Sequence, residues 1–394
     1  ISFQLTQETH MHCLYGGPLF DGVHLHSQGY VCMDRGKIAG FGPGSPLEWT
    51  GTSQDVQGRL ISPGFIDLHS DALEKCVEPR PRAVFDHQLA LQGLDCRLAA
   101  SGVTSFCHAV ALLDEDMGLR SPFTAADMIR SIQDFHGSDR AHVRHKVHIR
   151  FEVGGTLSAQ VIREVLKTGD CALFSVMDHS PGQGQFKSLK AFINYFAAAY
   201  ALSEQEVQVL GLERAESSRQ AWEDSLELIH EIRSASIPIL SHDDDTGPKV
   251  DMVHELGAVG SEFPVSLEAA GQARDRNMRV CMGAPNLLRG ESTNSNVTAA
   301  EVIQAGLCDI LVSDYAPETL PQAAFFAHRE LGMDLAAVLA AITSTPGSLL
   351  KTGGMCPGWM RLGADADIVV IDTAPPWVRV VETWVGGRRV YAAH

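Results

Sequence analysis

The sequence predicts an α/β protein: a (β/α)8 TIM-like barrel carrying a small β domain formed from the N- and C-terminal segments. Three observations predict it. Between residues 61 and 355, short apolar runs alternate with longer stretches of helical periodicity, as in a parallel sheet covered by helices. Eight such runs can be counted, at 65–69, 103–109, 147–153, 172–178, 237–242, 259–263, 279–283 and 309–313, the strand number of a closed barrel. The chain ends read differently, as strands joined by glycine-containing turns.

In chain order, residues 29–41 read as strand, Gly turn, strand. Residues 367–372 read as a strand, and 378–391 as a hairpin turning at Gly386-Gly387. Neither end supplies enough strands to close a core. One discontinuous β domain, 1–60 plus 356–394, is therefore expected, with a barrel domain at 61–355 inserted into it. Residues 218–234 and 330–345 carry apolar residues at helical spacing. The longest insertion, 179–236, holds an aromatic run (Phe186, Phe192, Tyr195, Phe196, Tyr200) that reads as the buried face of helices.

Composition narrows the function classes. With 45% hydrophobic and 20% charged residues among 394, the chain is an ordinary globular one, not a disordered or coiled-coil protein. No apolar run approaches the ~18 residues of a membrane span. A net charge of −17 argues against nucleic-acid or anionic-membrane partners, though not against a local basic pocket. The nine cysteines sit singly, with no CxxC, as Cys107, Cys171, Cys281 and Cys308 do inside apolar stretches. That suits buried thiols in a reducing compartment. The first five residues lack the basic start and apolar core of a signal peptide, so a cytoplasmic location is expected.

In a parallel barrel the chemistry lies where strands end and loops begin. Here those ends read Asp67-Leu68-His69-Ser70-Asp71, Arg150-Phe151-Glu152, Met177-Asp178-His179, Ser241-His242-Asp243-Asp244-Asp245 and Ser313-Asp314. One histidine at a strand end is most simply structural. Five ends carrying His, Asp or Glu are different, because carboxylates gathered at one mouth repel unless a cation lies among them. Mixed imidazole and carboxylate donors suit zinc, manganese or iron better than magnesium or calcium. Six donors, His69, Asp71, Glu152, His179, His242 and Asp314, exceed one tetrahedral set, so two divalent ions are expected. His108 and His145 read as structural.

These residues resemble the amidohydrolase superfamily, and the resemblance spans nearly the whole chain. Pro63-Gly64-Phe65-Ile66-Asp67-Leu68-His69 is similar to its entry motif. Asp71 stands for the usual second histidine, and Glu152 for the usual bridging carbamylated lysine. Both departures, with the segments HSDALEKCVEPRP, VMDHSPGQGQF, SHDDDT, SEFPVSLEAA, MGAPNLLRG and SDYAP, resemble the branch acting in phosphonate utilisation by the carbon–phosphorus lyase pathway. Ala72 departs from that branch, where Asn is expected, and the loop after Asp245 diverges.

The resemblance implies that all six residues ligate metal. It also implies hydrolysis of a ribose 1-methylphosphonate 5-triphosphate at the α-phosphorus, releasing pyrophosphate and a 5-phosphate. Asp314 is the expected catalytic base, doubling as a ligand. If it is only a ligand, Asp243 or Asp244 is the next candidate. A triphosphate needs cations, and Lys75, Arg80, Arg82, Lys249 and Arg289 are the expected substrate-binding residues, with Asn286 as a hydrogen-bond donor. Each could equally be surface or loop structure. The loop Gly182-Gln183-Gly184-Gln185 is a further candidate wall. The expected partners are this phosphorylated sugar and further copies of the chain, a homo-oligomer. Two alternatives stand beside this reading: an amidohydrolase acting on a cyclic amide, N-acyl group or aminopurine, and a metal-free scaffold that kept the barrel.

Overall fold

A computed structural model describes residues 11–46, 49–114, 118–167, 171–200, 202–292, 296–350 and 357–393. The N-terminal residues on which the leader expectation rests lie outside these, as does Cys356. The chain begins with strands β1 (His12–Phe20), β2 (Leu25–Asp34), β3 (Lys37–Pro43), β4 (Thr52–Asp55) and β5 (Leu60–Pro63). It ends with β14 (Ile368–Asp372), β15 (Arg379–Val385) and β16 (Arg388–Ala392). All eight join one sheet in the order β16-β15-β14-β5-β1-β2-β3, with β4 pairing β1. The two chain ends meet where β14 lies antiparallel on β5, Ile368 opposite Pro63 and Ile371 opposite Leu60. Leu14, Val31, Ile38, Ile61, Ile368 and Val370 form that sheet's own apolar core.

The eight expected barrel strands are all present: β6 (Phe65–Ser70), β7 (Val103–Leu112), β8 (Arg144–Glu152), β9 (Cys171–Met177), β10 (Ile239–His242), β11 (Ala258–Glu262), β12 (Arg279–Gly283) and β13 (Ile310–Val312). They pair in sequence order, all parallel. A bridge between Ser70 and Asp314 closes the circle. Alternation explains why the runs are apolar throughout: one set of side chains fills the barrel and the other packs under helices. Ile66, Leu68, Cys107, Leu173, Leu240, Cys281, Ile310 and Val312 form the inner plug. Phe65, Phe106, Ile149, Phe174, Val280 and Leu311 face the helical layer.

Helices differ more from expectation. The helix expected at 218–234 begins earlier and runs from Glu204 to Ser234, because Ser203 and Glu206 cap its start reciprocally. The periodic stretch 330–345 is instead split between helices Thr319–Glu330 and Leu335–Ala340, with left-handed Gly332 between them. Of the aromatic run, Phe186, Phe192 and Phe196 are buried against one another, whereas Tyr195 is exposed. The side chain of Tyr200 lies outside the described residues. Among the described residues no helix is long and apolar enough to cross a membrane.

Candidate metal centre and active site

The C-terminal mouth of the barrel opens into a cavity of about 300 Å³, lined by His69, Asp71, His179, His242 and Asp314. Three strands end there in the same way. Just past the ends of β10, β11 and β13 comes a residue in the left-handed region: Asp243 (φ 58°) and Phe263 (φ 54°) directly, and Asp314 (φ 57°) one residue later, after Ser313. Each keeps its N–H in the ladder, donating to Glu262, Cys281 and His69 carbonyls respectively at 2.9, 2.9 and 3.0 Å. The reversal of backbone hand turns the side chain over the mouth, where all three line the cavity. Asp tolerates this conformation; for Phe it is strained, and such strain concentrates at functional sites.

Each of the three cavity histidines has its Nδ1 facing a carboxylate. His69 Nδ1 pairs with Glu262 at 2.8 Å, and His179 Nδ1 with Glu152 at 2.6 Å. His242 Nδ1 lies 3.1 Å from Asp243 Oδ2, close but poorly aligned for a hydrogen bond. A carboxylate behind Nδ1 leaves Nε2 to offer its lone pair, the arrangement that orients metal-ligating imidazoles. Asp243 Oδ2 is also 3.6 Å from His179 Nε2. Two donor groups, His179-His242-Asp243 and His69-His242-Glu262, are compact enough to hold an ion, and they share His242. A neutral imidazole offers a single lone pair, so both cannot fill as they stand. An ion beside His69 would draw on Asp71 instead, whose Oδ1 is buried without a partner while Oδ2 accepts from Arg120 at 3.2 Å. The donor set fits divalent cations.

The electrostatics agree with a cation-seeking site. Burial and the adjacent Asp71 carboxylate push Asp314 up to about 7. Burial alone would lower His179, but the Glu152 and Asp243 carboxylates around it raise it to about 9. Burial opposes ionisation of Glu152, yet His179 and Arg214 bring it down to about 2. Asp243 is likewise held low, against its burial, by His242 and His179.

The expected residues fall into two groups. His69, Asp71, His179, His242, Asp314, Lys75, Asn286 and Arg289 line the one cavity, together with Gln185 from the glycine loop. Glu152 does not line it. Its Oε1 accepts the His179 backbone N–H at 2.7 Å and its Oε2 the ring N–H, so it stands behind His179. Arg80 and Arg82 are solvent-exposed and outside the cavity wall, past the end of the short helix Ala72–Val77. Lys249 is also outside, its ammonium 4.0 Å over the Trp222 ring. Asn286 spends its Oδ1 on the Ala299 N–H, which leaves its amide donors. Arg289 is exposed and pairs with Glu291 at 2.5 Å. Asp244, fully buried, is consumed by Ser241 and Ser261 hydroxyls at 2.6 Å each. His108 and His145 hydrogen-bond each other at 2.8 Å between barrel and helices, away from the mouth.

Three residues that serve the cavity, Arg150 and Arg120 on its wall and Glu262 behind His69, have no role assigned from sequence. Glu262 ends the sixth barrel strand as the other carboxylates end theirs. Arg150 lies two residues before Glu152, so alternation already turned it inward. Arg120 binds Asp71 and Glu74 from the 118–120 turn, and nothing in its local sequence marks it.

A parallel barrel with a histidine- and carboxylate-lined mouth, and a separate sheet made from both chain ends, defines the amidohydrolase class of fold. Solved structures bear this out. An amidohydrolase superposes with TM-score 0.64 at 15% identity, covering 97% of this chain and 99% of that one. N-acetyl-D-glucosamine-6-phosphate deacetylase from Mycobacterium smegmatis gives 0.64 at 14% identity, covering 96% and 100%. At such identities the likeness is one of fold. No family model matches the chain. It is, however, 32% identical over 342 residues to alpha-D-ribose 1-methylphosphonate 5-triphosphate diphosphatase of Escherichia coli (strain K12), covering 86% of this chain and 90% of that protein. The chain therefore belongs to the amidohydrolase superfamily, in the family of that diphosphatase, and is a hydrolase.

Proposed function

We propose that the chain is a divalent-metal phosphohydrolase acting on the 5-triphosphate of α-D-ribose 1-methylphosphonate 5-triphosphate, releasing pyrophosphate and leaving the 5-phosphate. The observation that carries the reading is the pair of cavity imidazoles His69 and His179, each with a carboxylate hydrogen-bonded at Nδ1, beside His242, in a chain related over most of its length to such a diphosphatase. His69 and Asp71 would hold one ion and His179, His242 and Asp243 the other, with Asp314 between water and ligand roles. Glu152 and Glu262 orient His179 and His69. Zinc best suits these donors, with manganese or iron next. A bound divalent cation supplies Lewis-acid polarisation of a phosphoryl oxygen and makes water a nucleophile near neutral pH.

The chain's residues do the rest. Asp314 accepts the attacking water's proton, as an ionised carboxylate held over the mouth by its left-handed backbone. Lys75 and Arg289, on the rim, meet the polyphosphate as it leaves, and the Asn286 amide donates alongside them. Arg80, Arg82 and Lys249 do not line the cavity, and this reading gives them no part in that work. The test is a metal-replete assay of pyrophosphate release from ribose 1-alkylphosphonate 5-triphosphates, with nucleoside triphosphates alongside. Release of pyrophosphate from the ribose compounds is expected. No release from either, with hydrolysis of N-acyl or cyclic amides, would replace this reading by the amide alternative.

A further inference from the structure

Four cations line the cavity, and they are not equivalent. Lys75 and Arg289 are exposed. Arg120 is committed to Glu74 and Asp71. Arg150 is the exception. It is only 7% exposed, on the inner face of β8, and it makes no ion pair with any carboxylate among the described residues. Its Nη2 donates to Nε2 of His242 at 3.1 Å, and its Nε is buried with no partner at all. A buried guanidinium satisfied by one neutral imidazole is an expensive thing to keep unless a further partner arrives.

The partner it does have is informative. A neutral His242 ring has one lone pair, which Arg150 uses at Nε2, and an ion in the His179-His242-Asp243 group would need it, either at Nε2 or at Nδ1 with the ring proton moved to Nε2. A guanidinium and a divalent ion cannot both use it. When an ion takes that lone pair, Arg150 loses its acceptor and is left beside the ion with its fork of donors unfilled. The species that satisfies both at once is an oxyanion, and a planar guanidinium fits phosphoryl oxygens in particular.

We propose that Arg150 is an anion-binding residue of the cavity floor, held on His242 in the metal-free protein and released to a phosphoryl oxygen when that imidazole binds a divalent ion, so that ion and phosphate bind cooperatively. The inference rests on the phosphohydrolase reading above and adds to it a residue and a coupling. It places a fixed cation at the reacting phosphoryl group itself, deeper than the rim residues Lys75 and Arg289.

The experiment is calorimetric titration of Mn²⁺ and inorganic phosphate, each alone and in the presence of the other, on the full chain and on Arg150→Gln and Arg150→Lys. In Arg150→Gln, Mn²⁺ should bind at least as tightly as in the unaltered protein when phosphate is absent, because the competitor for His242 is gone. Phosphate binding to the Mn²⁺-loaded variant should weaken roughly ten- to a hundredfold, the loss expected for a charge-assisted hydrogen bond. Arg150→Lys, a point charge without the fork, should recover only part of it. Phosphate affinity within twofold of the unaltered protein would overturn the inference, and so would loss of Mn²⁺ binding, which would make Arg150 a support of the metal site. If neither variant folds, the unaltered protein still decides: phosphate must raise Mn²⁺ affinity by the factor by which Mn²⁺ raises phosphate affinity, and no coupling refutes the proposal. Pyrophosphate release by the unaltered protein is scored separately, so a working diphosphatase without this coupling sinks the inference and leaves the functional reading intact.

Discussion

Loading the metal-free protein with zinc or manganese should release protons, in a number that the site's electrostatics set. A ligand imidazole must be neutral at the coordinating nitrogen, and a ligand carboxylate must be ionised. His179, raised to about 9 by Glu152 and Asp243 against the effect of burial, is almost wholly protonated at pH 7. Asp314, raised to about 7 by burial and Asp71, is then about half protonated. His69 is kept neutral by burial and the nearby Arg150, and contributes no proton. On full loading at pH 7, His179 and Asp314 together should therefore release about one and a half protons, falling to about one at pH 8 as Asp314 ionises beforehand. The sign follows directly: binding at His179 should strengthen about ninefold from pH 7 to 8 and about fivefold from pH 8 to 9, because less His179 must be deprotonated by the ion. Calorimetry in buffers of differing ionisation enthalpy counts the protons. Glu152→Gln, which removes the carboxylate that raises His179, should cut the release at pH 7 to between one half and one. A release near zero, or an affinity flat from pH 7 to 9, would show that His179 gives up no proton to the ion and is not a ligand.

Other expectations follow from the same geometry. Asp314→Asn should keep metal content near that of the unaltered protein and lower turnover at least roughly a hundredfold, measured by pyrophosphate release with elemental analysis alongside. If metal and activity fall together, Asp314 is a ligand first and the proton passes to Asp243, because Asp244 is already spent on two serines. Lys75→Ala and Arg289→Ala should each raise KM about tenfold with bound metal unchanged, while Arg80→Ala, Arg82→Ala and Lys249→Ala should stay within about twofold; the reverse ranking would mean that the cavity wall moves on binding substrate. Glu262→Gln removes the carboxylate behind His69 Nδ1 and should weaken one ion about 10- to 100-fold in a metal-buffered titration. Unchanged affinity would show that His69 needs no such partner.

The barrel was legible because each strand is a short apolar run and because polar residues stop those runs on the same side. The eight runs became eight strands, and the sheet formed by the two chain ends followed from counting strands too few to close a core at either terminus. What alternation could reveal was not all taken. Arg150 and Glu152 occupy one face of β8 by simple parity, and Glu262 ends its strand as His242 ends the neighbouring one. Three-dimensional facts were beyond it. No spacing rule says that Glu152 would turn both oxygens to His179, since that depends on the loop after β9 bringing the His179 N–H back over the strand end. Nor does sequence separate Lys75, on the helix facing the mouth, from Arg80 and Arg82 a few residues on, because the helix ends at Val77 and the chain then leaves the cavity.

The distribution of unmet hydrogen-bonding capacity gives the strongest physical sign of where function lies. Buried polar atoms are nearly always paired. Asp244, as deeply buried as any carboxylate in the molecule, has both oxygens filled by serine hydroxyls. The buried carboxylate of Asp95 takes four donors, from His142, Val143 and His145. At the barrel mouth the pattern reverses. Asp71 Oδ1, Asp243 Oδ2, His242 Nδ1, Arg150 Nε and Asn296 Oδ1 are all buried, all belong to residues lining one cavity, and none has a hydrogen-bond partner. Two of them are carboxylate oxygens that call for cations, one is a guanidinium nitrogen that calls for an anion, and they share a space of about 300 Å³. A structure that needed only stability would not gather so many unsatisfied polar atoms there, at a cost of about 1–3 kcal/mol for each. A metal ion together with a phosphorylated ligand meets both demands; either alone leaves one of them standing.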